Sequence, residues 1–270
     1  MTRDAVHPFD QAITLAGDPA GARDGDLGKG YANMVGPFGG TIAAALLQAV
    51  MEHPQRLGNP IASTVNFAGP IADAPFTVRA EPVRTNRSTQ HWNLLLEQGG
   101  QIAVTGSVVC ATRHDSWSDN ERSMPQVAAP ETLPMFANPA SPVWTRRYDL
   151  RFASGQWGLD PVPPSDSQTH VWVRDAEPRP LDFLSLMAMS DVFFPRVFLR
   201  KQTFCPAGTI TLSTYFHATP DSLAKAGTDY LLGIAQARRF HQGYFDQGAE
   251  LWSRDGELLV TSSQMVYFKV

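Results

Sequence analysis

The chain has 270 residues and a formal net charge of −4; 18% of its residues are charged and 43% are hydrophobic. That composition supplies a substantial apolar core and excludes both a disordered chain and a small disulfide scaffold. A pI near 6.0 argues against a dedicated nucleic-acid binder. The two cysteines, Cys110 and Cys205, are too far apart in sequence for a metal or redox motif. Such usage suits a reduced, cytoplasmic protein. The N-terminal stretch MTRDAVHPFDQ is too polar for a signal peptide, and no apolar run approaches the ~18–20 residues of a membrane span.

In chain order, the first strong signal is GGTIAAALLQAVM, Gly39–Met51. Its apolar positions Ile42, Leu46, Leu47 and Val50 follow a helical period, and Gly39 and Gly40 stand at the start, where backbone N–H groups lie open. Extended stretches are predicted at 61–68, 76–84, 91–97 and 102–111. Residues 115–142, rich in Ser, Asn, Pro and Ala, read as a connector draped over the surface. In the second half, LDFLSLMAMSD at 181–191 is apolar on nearly every face, as a helix buried all round would be. Further strands are predicted at 209–218, 230–239, 248–253 and 258–268.

The two halves share local matches. Ser63-Thr64 with Pro70 matches Ser213-Thr214 with Pro220 at an offset of 150, and Val104-Thr105 with Ser107 matches Val260-Thr261 with Ser263 at an offset of 156. Between the matches the second copy carries about six extra residues, expected in loops. The organisation that follows is an N-terminal copy (1–114), a connector (115–142) and a C-terminal copy (143–270). A helix followed by antiparallel strands packs most simply when the sheet curls around the helix and buries its apolar stripe. Joining two such sheets edge to edge covers two exposed edges.

Most catalytic signatures are absent. There is no G-x-S-x-G elbow, P-loop, G-x-G-x-x-G or H-E-x-x-H, and the seven histidines show no zinc spacing, so no metal site and no cofactor are expected. Polarity in apolar surroundings stands out instead. Asp191 closes the nearly all-apolar helix and is followed by Val192, Phe193 and Phe194. A carboxylate there must be satisfied by several donors, shifted in pKa, or both, unless it simply reaches solvent. Thr209 opens the strand TITLSTYFHA, and Gln264 lies in the last strand. The offsets place Val108 and Thr41 at the positions of Gln264 and Asp191, so only the second copy carries the amide and carboxylate. One asymmetric site is the natural expectation.

Taken with FGG at 38–40, MSD at 189–191, TITLSTYFH at 209–217 and DGELLVTSSQ at 255–264, the sequence resembles the TesB-type acyl-CoA thioesterase family (acyl-CoA thioesterase II). The resemblance covers most of the chain outside the connector. It implies an α+β double hotdog: two tandem repeats, each an antiparallel sheet wrapped round a central helix. It also implies an acyl-CoA thioesterase active in lipid metabolism, with an acyl-CoA substrate and no nucleic-acid partner, in which Asp191, Thr209 and Gln264 hold the hydrolytic water. Asp191 is then the general base, and the start of the first helix at Gly39 and Gly40 supplies oxyanion donors. Phe193, Phe194, Phe198 and Trp92 are candidates either for the acyl pocket or for the core. Three basic clusters (Arg196, Arg200 and Lys201; Arg238 and Arg239; Arg84 and Arg87) are candidates for coenzyme A phosphates or for ordinary solvated surface. The competing expectation is a non-catalytic acyl-CoA or lipid binder on the same scaffold. A hydratase needs a histidine shortly after the aspartate, and VFFPR has none. A homodimer is the expected assembly.

Overall fold

The computed structural model describes residues 6–158 and 165–269; the first five residues of the polar N-terminal stretch lie outside them. A short helix α1 (Pro8–Ile13) and two short strands, β1 (Leu15–Ala16) and β2 (Arg23–Gly25), precede helix α2 (Gly39–Met51). Four long strands follow: β3 (Asn59–Phe67), β4 (Phe76–Thr85), β5 (Thr89–Gln98) and β6 (Gln101–Ala111). After the connector the order recurs with β7 (Tyr148–Ser154), β8 (Thr169–Asp175) and two short helices, α3 (Phe183–Met189) and α4 (Arg196–Lys201). Strand β9 (Ala207–Phe216), helix α5 (Pro220–Ala226), and strands β10 (Leu231–Gln236), β11 (Phe240–His241), β12 (Tyr244–Ser253) and β13 (Leu258–Phe268) complete the chain.

The strands form one antiparallel sheet in the order β1-β2-β4-β5-β6-β3-β9-β13-β12-β10-β8-β7, with β11 beside β12. Its midpoint is the β3–β9 pair, where each half lays one strand against the other, so neither strand is left as an edge. Helix α2 is buried from Gly40 to Leu47, and every residue of α3 is buried. Both helices belong to a single apolar core that the sheet surrounds. This is the double hotdog expected from the sequence.

Local chemistry explains the elements. Alternating burial along β5 (Gln90, Trp92, Leu94 and Leu96 inward) marks a strand with one face on the core. Gly99 and Gly100, both at positive φ (59° and 77°), close the β5–β6 hairpin in a turn that demands residues without a Cβ penalty. The extra residues of the second copy form helix α5 rather than a loop, with Thr219 and Ser222 in a reciprocal capping box.

Two details of the sequence register change. The buried residues Ser63 and Val65 of β3 correspond to the buried Leu212 and Thr214 of β9. The true offset there is therefore one residue shorter than the Ser-Thr match suggests, since a one-residue slip would turn every side chain to the opposite face. Thr64 and Ser213, directly paired and hydrogen-bonded through their hydroxyls at 3.0 Å, sit on the approximate twofold. The helices also differ. Where the first half has one helix of 13 residues, the second has α3, a turn and α4. Asp191 lies in that turn, whereas Thr41 lies in the first turn of α2, so the equivalence of these two residues does not carry over.

Candidate active site

Asp191 follows α3 by two residues, and its backbone N–H still donates to Ala188 O at 3.2 Å. Its position is fixed by a close crossing of the two central helices. A Cβ on Gly40 would lie 2.4 Å from Ala188 O, and one on Gly39 only 2.6 Å from Asp191 Oδ2. Glycine at both places is what lets the start of α2 meet the carboxylate. That start has no side-chain cap, so its open N–H groups and positive dipole end face a negative charge.

Gln264 of β13 donates from Nε2 to Asp191 Oδ1 at 2.8 Å, and its Oε1 accepts from Thr209 Oγ1 at 3.3 Å. The three residues singled out in the sequence thus form one hydrogen-bonded chain, although 73 residues separate Asp191 from Gln264. Thr209 reaches it through an irregularity. In the β9–β13 ladder Gln264 pairs with Leu212, and Met265 with Thr211, but Val266 pairs with Thr209. Ile210 is bulged out, which brings Thr209 onto the inner face beside Gln264 where strict alternation would have pointed it outward.

Burial pushes the Asp191 carboxyl up to about 7, against the opposing pull of the Gln264 amide and the Gly40 backbone N–H. A carboxylate near neutrality can take a proton and give it back at physiological pH, which is what general acid–base chemistry requires. Because Thr209 spends its proton on Gln264, its oxygen is left to accept one from a further group.

Two cavities share Asp191 and Thr209 in their walls. The first, about 370 Å³, is walled by Phe38, Trp144, Phe193, Phe194 and Phe198 among others and contains Gln264 and Gln247. Its aromatic wall is closely packed: Phe38 stacks on Trp144 with centroids 4.4 Å apart, and Phe194 lies 5.6 Å from Phe136. The second, about 700 Å³, extends from Asp191 past Gly39, Ile42 and Phe67 to Ile71 and Tyr267.

Of the aromatic residues that could serve either pocket or core, Phe193, Phe194 and Phe198 do both: they line the first cavity and pack in the apolar core. Trp92 does not: it is buried in the first half, edge-on to His53. Arg196 is no phosphate ligand either, because its guanidinium is buried against Phe194 O, Ser167 O and Thr169 Oγ1. The connector does more than cover surface. Phe136, Asn138, Ala140, Ser141 and Pro142 all line the first cavity.

Gln247 also lines the first cavity, and the sequence carries a signal for it. It pairs with Gln264 across β12 and β13, just as Trp92 pairs with Val108 across β5 and β6. An apolar Trp–Val pair in the first copy is thus a Gln–Gln pair in the second. The large indole occupies core in one half where the smaller amide borders a cavity in the other. Among the described residues no cluster of His, Cys, Asp and Glu could hold a metal ion, and no helix is long and apolar enough to cross a membrane.

The fold is a double hotdog, and comparison with known families gives its class, a thioester hydrolase. Residues 29–111 match the family model of the acyl-CoA thioesterase N-terminal domain and residues 123–268 that of the acyl-CoA thioesterase C-terminal domain. The chain belongs to the acyl-CoA thioesterase family. Among solved structures it is similar to a conserved hot dog fold protein of unknown function from Alicyclobacillus acidocaldarius, at 46% identity over 98% of this chain and 99% of that one, TM-score 0.94. The tesB protein of Mycobacterium avium subs paratuberculosis shares the fold at 16% identity, covering 97% and 98% of the two chains, TM-score 0.77. The acyl-CoA thioesterase II TesB2 of Mycobacterium marinum does so at 18% identity, 97% and 98% coverage and TM-score 0.75. No curated protein matches the chain by sequence.

Proposed function

We propose that the protein hydrolyses acyl-CoA thioesters to the free acid and CoA with a water activated by Asp191 and held by Thr209 and Gln264. The observation that carries this reading is the Thr209–Gln264–Asp191 hydrogen-bond chain at the meeting of two cavities. A thioester carbonyl is already electrophilic, so an oriented water suffices and no covalent enzyme nucleophile is needed. The water donates one proton toward Asp191 and the other toward the unused lone pairs of Thr209. As its oxygen bonds to the carbonyl carbon, Asp191 takes the first proton. The tetrahedral intermediate then collapses, the C–S bond breaks, and the proton held by Asp191 passes to the departing thiolate.

The developing oxyanion needs donors, and the start of α2 at Gly39 and Gly40, which has no side-chain cap, presents backbone N–H groups beside Asp191. Because Gly40 already serves the Asp191 carboxylate, this role places base and oxyanion on adjacent parts of one helix end. The aromatic cavity receives the acyl group and the wider one the CoA arm. Fatty acyl-CoA as substrate, a role in lipid metabolism, a cytoplasmic location, a homodimer and the division at 114 and 142 belong to the same proposal. The direct test is release of free thiol from acyl-CoAs graded from short to long. Thiol release that Asp191→Asn abolishes supports the proposal; tight acyl-CoA binding with no release favours the binding protein instead.

A further inference from the structure

Asn33 takes no part in the hydrolytic chain, yet it borders both cavities, as Asp191 and Thr209 do. That common wall is where a thioester carbonyl lies when the acyl group fills one cavity and the CoA arm the other. The orientation of the Asn33 amide is fixed by its partners. The Trp144 indole N–H and the Met34 backbone N–H both donate to Oδ1, at 3.3 and 2.9 Å, and of the two ends of an amide only the oxygen accepts. Nδ2 has no hydrogen-bond partner among the described residues and, unlike Gln247 Oε1, is open rather than sealed in the core. The backbone beneath it is a tight loop that runs straight into α2. In that loop the Asn33 N–H donates to Gly36 O and the Phe38 N–H to Tyr31 O, each at 2.8 Å, and Ala32 bridges to Pro37.

The helix start by itself supplies few donors. The N–H groups of Thr41 and Ile42 both turn back to Phe38 O, at 3.1 and 3.2 Å, and that of Gly40 serves Asp191. Of the first four N–H groups of α2, only that of Gly39 has no partner among the described residues. An oxyanion is best held by several preorganised donors, so a second one is wanted at the same place.

We propose that Asn33 is that second donor: its Nδ2 and the Gly39 N–H together hold the thioester carbonyl oxygen. The inference rests on the thioesterase reading above and adds a catalytic residue to it. As the water oxygen bonds to the carbonyl carbon, the C=O π pair moves onto the oxygen and both hydrogen bonds to it strengthen; the pair returns when the C–S bond breaks. A neutral amide does this without burying a further charge. Trp144, by donating to Oδ1, draws electron density away from Nδ2 and locks its aim, so it acts as a positioning residue contributed by the second half.

Asn33→Asp keeps an oxygen for the Trp144 and Met34 donors but removes the amide N–H groups. On the acyl-CoA turned over fastest, its kcat should fall by ~10²–10³-fold, the usual loss for one oxyanion donor, with KM little changed because the contact strengthens only in the transition state. Asn33→Ala, confirmed as folded by its melting transition, should lose kcat in the same way, and Trp144→Phe, which keeps the ring but not its N–H, should lose less. The second readout is the infrared C=O stretch of hexanoyl-CoA carrying carbon-13 at the carbonyl, bound to Asp191→Asn so that it is not consumed. Hydrogen bonds to the oxygen lower this frequency, so adding Asn33→Asp or Asn33→Ala should move it back toward the value in water-free solvent. An unchanged kcat in both Asn33 variants, a loss confined to KM, or a carbonyl frequency that neither variant moves overturns the inference. If the unaltered protein releases no thiol, the hydrolytic proposal fails. The spectrum of the labelled thioester on the unaltered protein then decides about Asn33 separately: a shift that depends on Asn33 sustains the carbonyl contact, and a shift independent of it, or no bound carbonyl signal, overturns it.

Discussion

Replacing Asp191 by asparagine should cripple the enzyme and stabilise the fold at the same time. In the folded protein the carboxyl is raised from 3.8 to about 7, chiefly by burial. Ionising it there costs ~4 kcal/mol more than in the unfolded chain, at about 1.36 kcal/mol for each tenfold change in proton affinity. The folded state holds the proton more tightly, so stability is fully present below pH ~4, falls as pH rises, and is lost by about pH 7 to 8. Asparagine never ionises and escapes this loss. It also has one acceptor oxygen where the carboxylate has two, and a lost hydrogen bond returns ~1 kcal/mol or more. Asp191→Asn should therefore match the parent protein near pH 4 and exceed it by ~2–3 kcal/mol near pH 8, measured by urea unfolding across that range. Hydrolysis should fall by ~10²–10⁴-fold, the usual contribution of a general base. A stability difference that does not vary with pH, or an unchanged kcat, would refute the reasoning.

For the unaltered protein, kcat/KM should rise with pH through a midpoint near 7 and then level off, because the deprotonated carboxylate is the active form; a flat profile from about pH 5 to about pH 9 removes Asp191 as the base. Gly40→Ala should destabilise by ~1–3 kcal/mol or more in chemical denaturation, since the new methyl meets the Ala188 carbonyl at 2.4 Å. Gly39→Ala meets the Asp191 carboxylate instead, so its kcat should drop with a smaller change in stability. Thr209→Val and Gln264→Leu should each lower kcat by ~10-fold or more, and the double variant should lose less than the sum of the two, because both act on the same hydrogen-bonded chain. Full additivity in such a cycle argues that they act separately.

Much of this protein is legible in its sequence because the relevant physics is local. The period of Gly39–Met51 and the alternation of the long strands announce elements that bury one face or stripe. The comparison of copies that set Gln264 against Val108 survives in the sheet, where the two occupy equivalent ladder positions. Other features depend on pairing partners distant in sequence. The short strands Tyr148–Ser154 and Thr169–Asp175 gain their identity from β10 and from each other. A Ser-Thr identity proposes one register while burial of Leu212 and Thr214 enforces another.

The sequence alone singled out the candidate groups: a carboxylate beside an apolar helix, a strand threonine and a strand amide, of which the carboxylate and the amide have no like residue at the matched position of the first half. Only the tertiary structure brought them into contact. The glycine-lined helix crossing sets Asp191 against the start of α2, and the bulge at Ile210 brings Thr209 to the inner face. The β12–β13 ladder places Gln247 beside Gln264, and the connector closes the cavity around them. Helical period and strand alternation arise from neighbours along the chain, whereas the aim of a side chain at a bulge or a crossing depends on what packs against it.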